Sequence, residues 1–313
     1  MLPVAPLGGG VFLGWALGAN DAANVFGTAV ASRIISFRKA AFLCAAAVVL
    51  GAVLQGQAGI HTLGKLTQQT QVTLLITSLA AGMTVTLMTF FRIPVSTSQA
   101  IIGAIAGLSL ATRQTDSLVA DLTKIIVCWI ATPVAAMVIA GVVYHLIGLI
   151  VMRIPMSMLT RDKILWSGLL IVGIYGSYAL GANNVANATG IFSGRIEGVT
   201  DTHLALLGGL AIAAGVISYS KRVMLAVGSG LMRLDAFTAL VAVSAMSVTV
   251  HAFAVVGVPV STSQGIVGAI IGISITQRVW AVQARVLCNM GLGWILTPFM
   301  ALMLAAAGYA IFV

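Results

Sequence analysis

Apolar residues run along this chain in long segments that are separated by short polar stretches. In the first half the apolar segments cover roughly 8–31, 40–59, 73–93, 96–110 and 124–150, and the second half contains a matching series. Most of them reach the roughly 20 residues that an α-helix needs to cross a bilayer. The fourth segment is too short to cross comfortably at about 1.5 Å per residue. The pattern predicts an all-α, polytopic membrane protein.

Composition and charge support this prediction. Of the 313 residues, 60% are hydrophobic and 7% are charged, whereas about 25% of the residues are charged in a typical soluble domain. We attribute the net charge of +9 to membrane topology, so the expected partner is the lipid bilayer and not nucleic acid. The three cysteines lie in apolar segments without paired spacing, which predicts packing roles for Cys44, Cys128 and Cys288.

Three motifs of the first half return in the second half at a nearly constant distance. Gly18-Ala-Asn-Asp-Ala-Ala-Asn24 returns after 163 residues as Gly181-Ala-Asn-Asn-Val-Ala-Asn187. The second motif, Pro94-Val-Ser-Thr-Ser-Gln99, returns after 165 residues as Pro259-Val-Ser-Thr-Ser-Gln264. The third, Trp129-Ile-Ala-Thr-Pro133, returns at the same distance as Trp294-Ile-Leu-Thr-Pro298. A constant distance of this size predicts an internal duplication.

Each repeat is expected to contain a helical hairpin. We interpret its third and fourth apolar elements as the two arms of a broken-helix, re-entrant hairpin that turns at Pro94 or Pro259. About three transmembrane helices complete each repeat, and because the count is odd, the second repeat has inverted topology. The predicted repeats cover 1–151 and 165–313, and a cytoplasmic linker at 152–164 joins them.

The basic residues of the predicted loops indicate the orientation. With the amino terminus outside, eleven of them fall in cytoplasmic loops and four in outer loops, as the positive-inside rule favours. Both termini are therefore predicted to be extracytoplasmic, in a multi-pass protein of the cell membrane. The cytoplasmic set is Arg33, Arg38, Lys39, Arg153, Arg161, Lys163, Lys221, Arg222, Arg233, Arg278 and Arg285, the outer set is Lys65, Arg113, Lys124 and Arg195, and Arg92 lies at the hairpin turn.

Polar residues inside apolar segments identify candidate functional positions. Asp21 is the only acidic residue in such a segment, where a carboxylate is costly unless it faces a polar cavity or a cation. Asn20 and Asn24 share one face if the helix continues, whereas a break at Gly18 would free backbone carbonyls for an ion. Buried amides are also costly without partners, and the second repeat has three of them, Asn183, Asn184 and Asn187.

Hydroxyl groups cluster where the two short apolar helices are expected to begin. The N-terminus of a helix offers unpaired N–H groups and roughly half a positive charge, which favours an anion. One N-cap serine or threonine is ordinary helix chemistry, but three hydroxyls and a glutamine in both copies exceed a cap. They suit a tetrahedral oxyanion, and they are Ser96, Thr97, Ser98, Gln99, Ser261, Thr262, Ser263 and Gln264.

Together these motifs resemble the signature of the inorganic phosphate transporter (PiT) family, which includes sulfate permeases. The resemblance covers both halves and implies cation-coupled phosphate uptake by two inverted repeats, assembled as a homodimer. It implies substrate and cation sites formed by 96–99, 261–264 and the Asn-rich motifs. We assign Asn20, Asp21, Asn183 and Asn184 to the substrate together with the hydroxyl groups, and Asn20, Asp21, Asn24, Asn183 and Asn187 to sodium.

The chain departs from the family at one position, because many members carry Asp in both signature motifs and this chain has Asn184 in the second. Hydrogen phosphate brings roughly −2 near pH 7, Asp21 adds −1, and two helix N-termini return roughly +1 in total. About two monovalent cations would neutralise that site, and a second Asp would call for about one more. Amide and carboxylate oxygens favour Na⁺, with a proton carried by Asp21 as the alternative.

Other functions are weaker alternatives. Sulfate accepts hydrogen bonds only, so the same donors would suit a sulfate permease. An anion channel would leave Asp21 unexplained, since a bare carboxylate repels the ion. An enzyme is not expected, because the chain lacks His-Glu-x-x-His and Gly-x-Ser-x-Gly, and no cofactor is implied beyond the coupling ion.

Two remaining features are interpreted as packing. Glycines at four-residue spacing, such as Gly103 with Gly107 and Gly268 with Gly272, let helices approach closely in lipid. His251 lies near the second hairpin turn, where we favour a polar packing contact over a proton shuttle.

Overall fold

The computed structural model describes residues 4–66, 68–91, 93, 95–113, 118–153, 155–230, 235–278 and 284–313. Within these ranges the secondary structure is entirely helical, with twelve α-helices and one 3-10 helix. Arg92, Pro94 and Arg233, which the sequence analysis singled out, lie outside the described residues.

The helices follow the predicted elements in order along the chain. The first half contains α1 (Leu7–Ala31), α2 (Phe37–Gln55), α3 (Gln57–Lys65), α4 (Gln71–Phe90), α5 (Thr97–Thr112) and α6 (Leu118–Arg153). The second half contains α7 (Met158–Thr189), the 3-10 helix Gly190–Phe192, α8 (Asp201–Ser218), α9 (Ser220–Gly230), α10 (Ala236–Val256), α11 (Thr262–Gln277) and α12 (Ala284–Phe312).

Seven helical segments of the described chain are long and apolar enough to cross a membrane, which confirms an all-α, multi-pass membrane protein. They are Phe37–Gln55, Gln71–Phe90, Leu122–Val151, Met158–Phe192, Asp201–Ser218, Ala236–Val256 and Leu287–Phe312. Helix α5 is a shorter apolar helix, as predicted. Helix α1 has 25 residues but is not among the seven, since Asn20, Asp21 and Asn24 interrupt its apolar sequence.

The second apolar element of each repeat differs from the prediction, because it is divided into two helices. The segment expected at 40–59 ends as α2 at Gln55, and α3 begins directly after Gly56. A β-carbon at Gly56 would lie 2.2 Å from the Val185 side chain, so the chain passes α7 closely at this point. Helix α3 buries Ile60 and Leu63 and leaves its polar face outside. The same division separates α8 from α9.

The contacts between the two halves come in matching pairs. Helix α5 packs on α12 and α11 packs on α6, so each short helix lies against a long helix of the other half. Likewise α1 packs on α8 and α9, while α7 packs on α2 and α3. Helices α4 and α5 pack together as the first hairpin, and α10 and α11 pack together as the second hairpin.

Helices α1 and α7, which occupy equivalent places in the two repeats, run in opposite directions where they touch. A β-carbon at Gly10 would lie 2.8 Å from the carbonyl oxygen of Ala188, and one at Gly173 would lie 2.7 Å from the Phe26 ring. The beginning of α1 therefore meets the end of α7, and the end of α1 meets the middle of α7. This is the arrangement that inverted repeats require.

Glycine permits the closest contacts between the halves. A β-carbon at Gly18 would lie 1.9 Å from the carbonyl oxygen of Ile212, and one at the equivalent Gly181 would lie 2.0 Å from that of Val48. Helix α1 continues unbroken through Gly18. The structure therefore gives this glycine a role in close packing, and not in the helix break that the sequence also permitted.

The same explanation holds for the glycines of the short helices. β-Carbons at Gly103 and Gly107 would lie 2.2 Å from the carbonyl oxygens of Pro298 and Leu302, respectively. The contact moves from Gly103 with Pro298 to Gly107 with Leu302, four residues onward in both helices, so α5 and α12 run parallel. Gly268 meets Pro133 at the same 2.2 Å, which gives α11 and α6 the equivalent contact.

Candidate functional site

The polar motifs of both repeats meet where four helices converge. The antiparallel contact of α1 with α7 places Asp21 beside Asn184, whose Nδ2 donates a hydrogen bond of 2.9 Å to Asp21 Oδ2. The Oγ1 of Thr97, at the start of α5, donates to the same oxygen at 2.9 Å. Asn24 Nδ2 donates to Thr262 Oγ1, at the start of α11, at 3.2 Å. One cluster therefore joins both signature motifs and both hairpins.

The carboxylate at the centre of this cluster is held by neutral groups. Asp21 is only 2% exposed, and its two hydrogen-bond donors are a hydroxyl and an amide. The hydroxyl of Thr262 is a third hydrogen-bonding neighbour. These dipoles orient the carboxylate, but among the described residues they leave its negative charge without a formal counter-charge. A buried charge of this kind is favourable only when a cation or a proton joins it.

Both short helices begin as the repeated hydroxyl motif predicts. Ser96 and Ser261 are the N-caps of α5 and α11, and their Oγ atoms accept from the backbone N–H groups of Gln99 at 3.4 Å and Gln264 at 3.3 Å. The serine two residues further along lies beside each cap. Ser98 Oγ is 3.3 Å from Ser96 Oγ, and the equivalent pair in the second hairpin is 2.8 Å apart.

The two hairpin tips touch each other. Ser263 Oγ, in the second hairpin, donates to the backbone carbonyl of Val95, in the first hairpin, at 3.3 Å. The caps and the serines beside them are buried in both hairpins. Two helix N-termini thus approach one buried region from opposite halves of the chain, as the sequence analysis expected.

The second hairpin is held by an amide that the first hairpin does not match. Asn183 Nδ2 donates to the Val260 carbonyl at 2.8 Å, and its Oδ1 accepts from the Val260 N–H at 3.0 Å. The equivalent residue, Asn20, instead donates to Thr89 Oγ1 at 2.9 Å. The side-chain amide of Asn183 therefore binds the backbone at the tip of the second hairpin, whereas Asn20 binds a side chain of α4.

Asn184 connects the amides of α7 to Asp21. Its Oδ1 accepts from Asn183 Nδ2 at 2.6 Å and from Asn187 Nδ2 at 3.3 Å, while its own Nδ2 donates to Asp21. An aspartate here would place a second carboxylate oxygen where that donor now lies. Two carboxylates at hydrogen-bond distance do not both stay ionised unless a cation lies beside them, and otherwise one of them holds a proton. Compared with an aspartate at this position, Asn184 removes one negative charge from the cluster, and its amide hydrogen-bonds to Asp21, Asn183 and Asn187.

Three buried amide oxygens near these motifs lack a donor. Gln99 Oε1, Gln264 Oε1 and Asn187 Oδ1 have no hydrogen-bond partner among the described residues. The two glutamines are equivalent, one turn into each short helix. Leaving a buried acceptor unsatisfied costs about 1–3 kcal/mol. All three atoms are acceptors, so they are suited to a cation or to a hydroxyl group of a bound molecule.

The structure brings nearly all the predicted site residues together. Asp21, Asn24, the three asparagines of α7 and the eight residues at the starts of the short helices are all buried. Asn20 is half-buried, on the edge of the cluster. The sequence analysis did not identify Thr89 or the backbone groups of Val95 and Val260. A backbone donor or acceptor carries no sequence signal, and Thr89 is one of many hydroxyls in α4.

The secondary candidates also have clear surroundings. His251 Nδ1 lies 2.7 Å from Tyr175 Oη, and its Nε2 lies beside Gln55 Oε1. Both ring nitrogens are thus engaged in a contact between α10, α7 and α2, as the packing interpretation expects. The three cysteines are free.

A membrane protein that encloses a cluster of buried polar side chains between two pairs of opposed elements has the architecture of a membrane transporter. The chain belongs to the phosphate transporter family, whose model matches residues 17–305. This confirms the resemblance seen in the motifs, and it confirms that the protein is not an enzyme.

Individual relatives cover almost all of the chain. A protein of Methanocaldococcus jannaschii, named as a candidate phosphate permease, is 29% identical over 293 residues, which are 94% of this chain and 92% of that protein. The sulfate permease CysP of Bacillus subtilis is 30% identical over 301 residues, covering 93% and 83% of the two chains. A solved structure described as the sodium-dependent phosphate transporter matches with a TM-score of 0.90, 22% identity and 99% coverage of both chains, so the fold is the same.

Proposed function

We propose that this protein carries inorganic phosphate across the cell membrane by symport with Na⁺. The observation that carries the proposal is the buried Asp21 carboxylate, which accepts hydrogen bonds from neutral donors among the described residues. The same motifs contribute three buried amide oxygens without a donor, so negative charge and free acceptors favour a cation here. The carboxylate also lies beside the starts of two short helices, which favour an anion.

The helix starts supply the anion site. Each short helix contributes roughly +0.5 charge at its N-terminus, and the hydroxyls of Ser98, Ser263 and the two threonines lie at these ends. These groups stabilise an oxyanion without a fixed positive side chain. An anion bound in this way is released more easily than one paired with a buried arginine or lysine, as transport requires.

The unsatisfied oxygens favour phosphate over sulfate. Phosphate carries at least one O–H group near neutral pH, which one of the three unpartnered amide oxygens or Asp21 can accept. Sulfate has no such donor. The relatives include proteins named for each anion, and the solved structure that shares this fold is named for phosphate and sodium.

Asp21 and the asparagines around it form the proposed cation site. Oxygen atoms of carboxylate and amide groups suit Na⁺, and transporters place such sites where helix ends meet near the membrane centre. The contact between Asp21 and Thr97 links this site to the start of α5. Binding of Na⁺ would therefore affect the position of the hydroxyls that hold the anion, which gives symport a direct physical route.

The architecture of the proposed mechanism is that of two inverted repeats. The opposite directions of α1 and α7 and the matching contacts of α5 and α11 support it. We place both termini outside the cell membrane, following the loop charges, and we expect a homodimer. Alternating exposure of the central site would then arise from movement of one repeat relative to the other.

Transport by the purified protein in liposomes tests the proposal. An inward Na⁺ gradient should drive accumulation of radiolabelled phosphate, and replacing Na⁺ by choline should abolish it. A proton gradient alone should not drive uptake, and excess sulfate should compete weakly. Flux that ignores both gradients would identify an anion channel. Accumulation of sulfate in preference to phosphate would identify a sulfate permease.

The departure at Asn184 provides a prediction about stoichiometry. In Asn184→Asp, two carboxylates would face each other where one hydrogen bond of 2.9 Å now joins Asn184 to Asp21. We expect about one additional Na⁺ to be bound per phosphate, because the added negative charge needs neutralising. The Hill coefficient for Na⁺ and the charge moved per phosphate would measure this.

A matched variant separates this effect from a general effect of charge. Ser157→Asp adds the same charge at the exposed N-cap of α7, outside the seven membrane-crossing segments, and it should leave the Hill coefficient unchanged. An Asn184→Asp protein that transports with the original Na⁺ dependence would contradict the assignment of this position to the cation site.

A further inference from the structure

A cavity of about 190 Å³ lies beside the second hairpin, outside the cluster described above. Three of its lining residues carry basic side chains, His61 and Lys65 from α3 and Lys124 from α6. All three are exposed, whereas Ile125 and Val258, which also line the cavity, are buried. We call this space the basic cavity. Its volume is far above the roughly 10–15 Å³ that one water molecule needs.

The floor of the basic cavity is connected to the transport site. Val258 is two residues before Val260, whose backbone is bound on both sides by the Asn183 amide. Asn183 in turn donates to Asn184, which contacts Asp21. The tip of the second hairpin, at Val258 and Val260, therefore links the basic cavity to the proposed site.

The end of α3 that carries Lys65 is held in place. Arg195 donates from one guanidinium nitrogen to the Gly64 carbonyl at 2.8 Å and from the other to Gln68 Oε1 at 3.3 Å. This contact crosses from the segment after α7 to the end of α3. The hydrogen bonds of Arg195 hold the end of α3 beside the cavity, so the backbone at Lys65 is fixed there.

The three basic positions of the cavity are not repeated in the sequence of the other half. Gly51 corresponds to Gly215 at a distance of 164 residues, and the Trp-Ile-x-Thr-Pro motifs correspond at 165. By these distances the counterparts of His61, Lys65 and Lys124 are Leu225, Ser229 and Asn289. The motifs of the proposed transport site occur in both repeats, whereas these three basic positions occur in the first repeat alone. Pseudo-symmetry alone would have repeated them in the second.

We propose that the basic cavity is a vestibule that binds the oxyanion before it enters the transport site, from one side of the membrane only. The side is the one at which Lys65 and Lys124 lie, which the loop charges predict to be the outside. This proposal rests on the proposed function, because it takes the same anion as its ligand. Clefts lined by one sign of charge raise the local concentration of the opposite ion and the rate at which it binds by about 10- to 1,000-fold.

The vestibule makes a sharp prediction for transport kinetics. Neutralising both lysines in Lys65→Gln/Lys124→Gln should raise the KM for phosphate about threefold to tenfold at low ionic strength, with an unchanged maximal rate. The shift should fade when choline chloride is raised to about 0.5 M, since the screening length then falls well below 10 Å. Phosphate presented from the opposite side should show no shift.

Two further variants make the test decisive. Lys65→Arg/Lys124→Arg keeps both charges and should retain the original KM, which separates charge from side-chain shape. Arg161→Gln/Lys163→Gln removes two exposed charges from the beginning of α7 and should not change KM on the vestibule side. Uptake by the unmodified protein in the same liposomes reports on the proposed function independently. An unchanged KM in the double glutamine variant, or a shift that salt does not reduce, would overturn the vestibule.

Discussion

Replacing Asp21 by asparagine should abolish Na⁺-driven phosphate uptake while leaving a folded protein. The substitution keeps an oxygen that can accept from Thr97 and Asn184, which now donate to the carboxylate at 2.9 Å each. It removes the negative charge that would bind the cation. Two unit charges about 4 Å apart attract by about 4 kcal/mol at an effective dielectric constant of about 20. Loss of that attraction should lower uptake by about 1,000-fold.

The control for this variant removes a carboxylate elsewhere. Asp162 is exposed at the beginning of α7, and Asp162→Asn should transport phosphate normally. Uptake in liposomes with a fixed Na⁺ gradient measures both variants, and their elution profiles report folding. If Asp21→Asn transports with normal Na⁺ coupling, the carboxylate is not part of the cation site.

The second large effect concerns assembly of the two halves. Gly18→Ala and Gly181→Ala should each strongly reduce the yield and the thermal stability of the folded protein. The added methyl groups would lie 1.9 Å and 2.0 Å from backbone carbonyl oxygens of the facing helices. Overpacking costs about 1–3 kcal/mol where side chains can adjust, and occasionally more. Here the obstacle is backbone, so a whole helix must move away.

A neighbouring glycine provides a matched control. A β-carbon at Gly8 would meet nothing within 4 Å, so Gly8→Ala, in the same helix as Gly18, should behave like the unmodified protein. Thermal unfolding monitored by size-exclusion chromatography would measure the difference. Because the contacts of Gly18 and Gly181 are equivalent, the two alanine variants should lose similar stability. A melting temperature for Gly18→Ala that matches the Gly8→Ala protein would contradict this explanation.

The general fold could be predicted because the bilayer restricts what a chain can do. Backbone polar groups must be satisfied within each segment in lipid, so long apolar segments become helices. The short helix α5 follows from its length and from the hydroxyls of its cap. The division of the second element into α2 and α3 was not predicted, because Gly56 reads as one small residue in a long segment. Its significance comes from Val185, which approaches from another helix.

The composition of the site could be predicted, including the difference between Asp21 and Asn184, but the different partners of equivalent asparagines could not. Asp21 and the asparagines are conspicuous in apolar surroundings, and the duplication identified their counterparts. However, Asn20 and Asn183 occupy equivalent places and bind different partners, Thr89 Oγ1 and the Val260 backbone. Such differences depend on the exact position of each hairpin tip. The basic cavity was missed for a related reason, since its residues come from three distant segments.

The exchange of contacts between the halves has a consequence for how this protein is made. The glycine face of α5 packs on α12, and α11 packs on α6. During synthesis, the first hairpin is therefore inserted long before the helix that covers it has left the ribosome. Until α12 arrives, the face of α5 that carries Gly103 and Gly107 lacks the helix on which it packs. The last helix to be made is therefore needed to bury one of the first hairpins to be inserted, and the two halves complete their packing only when synthesis is finished.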